Sequence, residues 1–133
     1  MTAVGRTATR RTTARQTAPR QSALRRGAII GFGNVAAHGH VPGWRDHADF
    51  EIVAVADPDP ARRALAAELI PAVRLYASGD ELLQHERLDF VDIATPPTTH
   101  GLWIIAAANA GVHVLCEKPL TTLWSEYAAL RAA

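Results

Sequence analysis

Between Gly27 and the C-terminus the apolar positions change period repeatedly. Short continuous apolar runs, as a strand buried on both faces requires, alternate with longer stretches whose apolar residues recur at helical spacing. The runs cover 28–32 (AIIGF), 50–57 (FEIVAVAD), 73–77 (VRLYA), 89–95 (DFVDIAT) and 112–117 (VHVLCE). A helix is expected to open near Asn34 and fade before Pro42-Gly43. A second starts at Pro60, with Asp59 as its cap and a proline where a missing N–H does no harm, and stops before Pro71. Ser78 and Glu81 form an S-x-x-E capping box, which predicts a short helix through Leu83. The stretch 99–110 reads as a helix ended by Gly111, and 121–133 as a last helix. Strand and helix alternating over short connections imply an α/β fold. Right-handed crossovers then make it a doubly wound parallel sheet, Rossmann-like.

Composition narrows the class. The chain has 133 residues, enough for one ordinary domain, and its 48% apolar share includes only 6% aromatics, so the core is built from Ala, Val, Ile and Leu. A single cysteine, Cys116, excludes an internal disulfide and is compatible with a reducing compartment. No apolar run approaches a membrane span. A cytoplasmic location without membrane attachment is the expectation.

The net charge of +1 conceals two halves. Residues 1–26 hold seven of the 14 basic residues and no acid, whereas the remainder sets seven basic residues against 13 acids. The basic segment is rich in Arg, Thr and Ala and lacks apolar periodicity, so it reads as a disordered tail. Transit-peptide, twin-arginine and nucleic-acid-arm readings share its composition. No apolar region follows Arg10-Arg11, though, and charge blocks of this kind are usually solvated tails. No nucleic-acid partner is expected. The division is thus a basic tail, 1–26, and a dinucleotide-binding domain, 27–133.

The stretch Gly31-Phe32-Gly33-Asn34-Val35-Ala36 matches G-x-G-x-x-[GA] directly after a strand and at the opening of a helix. Gly31 permits the tight turn, and Gly33 lets a pyrophosphate approach the backbone. Ala36 is small enough for helix and strand to lie close. The N–H groups there favour an anion. Asp57 ends the second strand, where an acid accepts from an adenosine ribose hydroxyl and repels a 2′-phosphate. NAD is therefore expected over NADP, a preference softened by Arg62 and Arg63. Residue type alone leaves Asp57 as a turn aspartate of "DPDP". His38, His40 and His47 have no carboxylate spacing that would make a metal site, and none is expected.

Two further motifs are more specific. The fourth strand runs into Thr95-Pro96 with His100 four residues beyond the proline, and "AGVHVLC" runs into Glu117-Lys118-Pro119. On these motifs the chain, from Gly27 onward, resembles the N-terminal domain of the Gfo/Idh/MocA oxidoreductases. The resemblance implies NAD(P)-dependent hydride transfer to or from a sugar, polyol or related secondary alcohol. It implies a cofactor site of Gly31, Phe32, Gly33, Asn34, Val35, Asp57, Thr95, Pro96, His100, Glu117 and Lys118. Glu117 would approach the nicotinamide ribose, and Lys118 would be the catalytic residue facing the substrate hydroxyl. Pro119 would follow a cis bond. By residue type alone His100 could simply cap or pack its helix, Lys118 could be solvated surface, and Trp103 reads as packing.

Members of this family carry a second α/β domain that forms the substrate floor and completes the acid–base set. The chain is accordingly expected to be a truncated form, inactive alone, whose exposed apolar edge favours homo-oligomers. The alternatives are a stand-alone, non-catalytic dinucleotide-binding or sensing module and, less compatible with "CEKP", a methyltransferase.

Overall fold

The computed structural model describes residues 23–133, so most of the basic stretch lies outside the described residues. Five strands, β1 (Arg25–Ile30), β2 (Phe50–Ala56), β3 (Arg74–Tyr76), β4 (Phe90–Ile93) and β5 (His113–Cys116), form one sheet in the order β3-β2-β1-β4-β5. Every pairing is parallel. This is the doubly wound arrangement expected from the alternating pattern. Arg25 and Arg26 belong to β1 rather than to the tail. The Arg25 N–H donates to the Asp49 carbonyl at 2.9 Å, and the Arg26 N–H donates to Asp89 Oδ2 at 2.8 Å. These bonds draw two charged residues into the N-terminal end of the central strand, where an apolar run gives no sign of them.

A π-helical segment (Val35–His40) passes directly into α1 (Val41–Arg45). It is followed by α2 (Pro60–Leu69), α3 (Gly79–His85), α4 (His100–Asn109) and α5 (Trp124–Ala132). The first helix therefore does not fade before Pro42-Gly43. The Val41 N–H reaches back to the Ala36 carbonyl, and Pro42 falls in the first turn of the new α-helical segment, where its missing N–H is tolerated. Asp59 caps α2 as expected, accepting from the Ala61 N–H at 2.9 Å. Ser78 caps α3 through the Glu81 N–H, while the Glu81 carboxylate returns to Ala77 rather than to Ser78. Helix α3 runs on to His85, whose ring holds the Glu81 carbonyl. Helix α5 starts three residues later than expected, because Thr121 Oγ1 takes the Leu123 N–H and keeps 121–123 in a turn. Gly111 ends α4 at φ +70°, the left-handed termination its position suggested.

Side chains alternate between two apolar layers. Ala28, Ile30, Val91 and Ile93 meet Leu82 of α3 and Ala107 of α4. Ile29, Ile52 and Val55 meet Ala36 and Ala37 of the π segment, Val41 of α1 and Ala66 of α2. The phase in β2 is reset by a bulge: Gly27 pairs with Ile52 but Ala28 pairs with Ala54, leaving Val53 unmatched.

One ion-pair cluster ties the sheet to α3. Glu86, just past α3, has a side chain only 4% exposed and binds the Arg74 guanidinium through both carboxylate oxygens. It also accepts from the Tyr76 hydroxyl at 2.7 Å and lies 3.8 Å from Arg26. The Arg74 hydrogen bonds hold the Glu86 carboxyl below its ordinary range, against burial, and acceptance by Glu86 raises the Tyr76 phenol. Replacing Glu86 by alanine is expected to lower stability by about 1–3 kcal/mol, limited by solvent around Arg74. Folding depresses this carboxyl's pKa, so its contribution is present above the ordinary carboxylate range and lost as pH falls through the depressed value. Urea unfolding of wild type and Glu86→Ala at pH 7 and pH 3 checks both points: the gap should be narrower at pH 3.

Candidate functional site

At the C-terminal edge of the sheet the chain leaves β1 toward β2 on one side and β4 toward β5 on the other. Diverging connections open a crevice between β1 and β4, the ligand position of open α/β sheets. A cleft of about 340 Å³ lies there, with Gly31, Asp57, Arg62, Gly79, Thr95 and Trp103 in its walls. A second hollow of about 210 Å³, between Trp44, Phe50 and Leu69, holds none of the residues singled out in the sequence.

Gly31 turns the chain at φ +88°, and its N–H donates to the Ala56 carbonyl at 2.8 Å. The turn presses on the segment after β4: a Cβ on Gly31 would stand 2.8 Å from the Thr95 nitrogen. Phe32 is not on the cleft side of the turn. Its side chain is 1% exposed in the second apolar layer, and its N–H donates to Asp57 Oδ2 at 2.7 Å. Asn34 and Val35 are the exposed part of the turn, and a Cβ on Gly33 would meet no other atom.

Asp57 lines the cleft, yet it is 2% exposed. Beside the Phe32 N–H it accepts from the Asp59 N–H at 2.9 Å, and Arg62 stands 3.7 Å from the carboxylate. It thus serves as the turn aspartate that residue type allowed, and it also ties the β1 turn to the β2 turn, which residue type did not reveal. Arg63 is turned away onto the Asp57 and Pro58 carbonyls, leaving Arg62 as the arginine of the cleft. Thr95 accepts from the Thr99 hydroxyl at 2.8 Å, and Pro96 is exposed beside it.

His100 presents no surface to a cofactor. It is 0% exposed, with Nδ1 2.8 Å from the Pro119 carbonyl and Nε2 2.8 Å from the Thr95 carbonyl. In place of the expected contact, the ring braces the segment after β4 against the segment after β5. Glu117 leaves β5 with its N–H on the Ile93 carbonyl at 3.0 Å, and Lys118 is exposed next to it. The Lys118–Pro119 bond is cis.

The sequence reading missed a charged cluster behind these residues. His40 Nε2 lies 2.8 Å from Glu117 Oε1, and its Nδ1 lies 2.9 Å from Asp92 Oδ2. Asp92 is wholly buried and also accepts from the Trp44 indole at 2.7 Å. The ring bridges two acids, one nitrogen on each; among the described residues no group is arranged to hold a metal ion. Burial works against a charged His40, but Asp92 and then Glu117 outweigh it and hold the imidazole pKa above its ordinary value. Burial pushes the Asp92 carboxyl up against the hydrogen bonds from Trp44 and His40, and the His40 bond holds Glu117 down. Burial, with both acids adding to it, pushes the Cys116 thiol up to about 11. A polar residue in the strand run, Asp92, was the available signal: it needs a partner on the sheet's covered face. Trp103, read as packing alone, lies against Gly79 and lines the cleft as well.

The model of the oxidoreductase family with an NAD-binding Rossmann fold, GFO_IDH_MocA, matches residues 25–133. A D-apiose dehydrogenase from Paraburkholderia graminis is 39% identical over 107 residues, which is 80% of this chain and 28% of that protein. The WlbA dehydrogenase from Bordetella pertussis, solved with NADH and UDP-GlcNAcA, superposes with a TM-score of 0.79 at 27% identity, over 86% of this chain and 33% of that one. KijD10, a 3-ketoreductase from Actinomadura kijaniata solved with NADP and TDP-benzene, gives 0.75 at 29% identity, over 82% and 33%. The chain spans about a third or less of the length of these relatives. Among the described residues no helix is long and apolar enough to cross a membrane.

Proposed function

The chain belongs to the Gfo/Idh/MocA oxidoreductase family, and on that premise we propose that residues 25–133 bind the nicotinamide dinucleotide of an enzyme that oxidises or reduces a sugar, polyol or related secondary alcohol. One observation carries the reading: the glycine turn, the buried Asp57 and the Thr95–Pro96 segment meet around a single cleft at the strand crossover. The pyrophosphate would lie on the exposed backbone of Gly33, Asn34 and Val35, and the adenosine ribose beside Asp57. A carboxylate has about four acceptor positions, and the two backbone N–H groups use two of them. A ribose hydroxyl can therefore still donate to Asp57, while a 2′-phosphate would meet its charge. NAD is the preferred cofactor, with Arg62 as the group that admits NADP.

The nicotinamide, when bound, supplies the hydride chemistry. Lys118 would donate an ammonium N–H to the substrate oxygen, stabilising the carbonyl form and carrying the proton exchanged there. Glu117 would lie toward the nicotinamide ribose, and the buried His100 would hold both flanking segments in place. Calorimetric titration with each nucleotide tests the reading. The expected result is saturable binding with NAD tighter than NADP; no binding of either would overturn it.

A further inference from the structure

His40 reaches its two acids from the segment that begins at the glycine turn, whereas the acids belong to other parts of the sheet. Asp92 is on β4, and Glu117 follows β5 immediately before Lys118. Both ring nitrogens stand within 3.0 Å of carboxylate oxygens. With both carboxyls ionised each oxygen only accepts, so both nitrogens donate, and only the imidazolium has two donors. The side chain of His40 is 17% exposed and that of Asp92 0% exposed, so the inner bond is shielded from solvent. The π turn that carries His40 is a one-residue widening of a kind that re-aims side chains at functional sites.

We propose that His40 is a positioning residue: its protonated ring clamps Glu117, and through it Lys118, to the segment that leads from the glycine turn. The Lys118 N–H itself donates to Glu117 Oε2 at 3.2 Å, so moving the carboxylate moves the backbone that carries the lysine. When the ring loses its proton, one nitrogen faces an acid with a lone pair, and the outer bond to the more exposed Glu117 is the one released. The groups around the ring are Asp92 on β4, Glu117 and Lys118 after β5, and Cys116 on β5. Trp44 meets the ring's partner from α1, and His47 lines the same shallow hollow. The acids favour the charged ring. Folding therefore raises its proton affinity, and the clamp is complete below the ordinary histidine range and lost as pH rises through the raised value.

The inference rests on the cofactor reading only where it concerns affinity, so two measurements separate them. In nitrogen NMR of the whole chain, the His40 ring is expected to lose its second proton only above the ordinary histidine midpoint. The Glu117 and Lys118 amides should shift along the same titration, and those shifts should vanish in His40→Gln. Glu117→Gln should move the His40 midpoint toward the ordinary value, a result that a variant with merely weakened packing would not give. A ring midpoint at or below the ordinary histidine value, or amides that ignore its titration, would overturn the clamp whether or not NAD binds. In calorimetry, NAD affinity of the wild type should fall about fivefold or more across that titration, the low end of ordinary coupling between sites, and be flat in His40→Gln. Equal pH profiles with intact binding would also overturn the clamp, whereas absence of binding in both proteins would overturn the cofactor reading alone.

Discussion

Gly31→Ala is expected to be the most damaging single-methyl change in the turn. The residue holds φ +88°, a conformation that an L side chain adopts only with strain. The added carbon would also stand 2.8 Å from the Thr95 nitrogen and 2.9 Å from the Ala94 carbonyl carbon, backbone atoms that cannot swing aside. Overpacking of this kind costs about 1–3 kcal/mol and the dihedral strain about 1–2 more, so a loss of roughly 2–5 kcal/mol is expected. For a domain of this size that lowers Tm by at least about 6 °C. Relief requires β1 and β4 to separate where the cleft lies, so NAD binding should fall below detection. Gly33→Ala is the internal control. Its methyl would meet no protein atom, so Tm should hold within about 1 °C while NAD affinity drops, because the methyl occupies space the pyrophosphate needs. Thermal scans and nucleotide titration of both variants make the comparison. Equal stability losses would mean that Gly31 has no special place in the turn.

That contrast bears on what one sequence can disclose. Strand runs and glycine spacing are local properties, and they placed β1 to β5, the turn and the Asp59 and Ser78 caps within a few residues. The failures are places where a distant partner overrides local preference. Arg25 and Arg26 join β1 because Asp49 and Asp89 supply acceptors from other segments. Helix α1 continues through Pro42 because the π turn before it restarts the hydrogen-bond pattern, which no residue type announces. In the site, the sequence identified residues by kind but could not say which way they face. Phe32 turns inward, and His100 spends both nitrogens on backbone carbonyls. The triad of His40, Asp92 and Glu117 is assembled across 77 positions of chain, so its spacing carries no signal. Only the isolated acid inside the β4 run hinted that something charged lay opposite.

The second large effect is expected at Asp57. An ordinary ribose-binding acid would be exposed and could be exchanged for asparagine at the expense of affinity alone. Here both carboxylate oxygens are occupied, one by the Phe32 N–H at 2.7 Å and the other by the Asp59 N–H at 2.9 Å. Asparagine offers one acceptor oxygen, and its amide group would point a donor at the other N–H. One donor is then left unsatisfied, at about 1–3 kcal/mol where it is the buried Phe32 N–H and less where it is the part-buried Asp59 N–H, and the site loses a charge-assisted bond as well. Asp57→Asn should therefore destabilise the chain by about 2–4 kcal/mol in urea unfolding. It should also weaken NAD binding by about tenfold or more, since each 1.4 kcal/mol withdrawn from the turn or the ribose contact is a factor of ten. The effect on NADP should be smaller, because removing the carboxylate charge also removes its repulsion of the 2′-phosphate and leaves Arg62 with Asp59 as its one remaining acid. If Asp57→Asn weakened both nucleotides equally, the residue would act only by holding the turn. If it left stability untouched and lowered NAD affinity alone, the two backbone bonds would contribute nothing and the carboxylate would serve the ribose only.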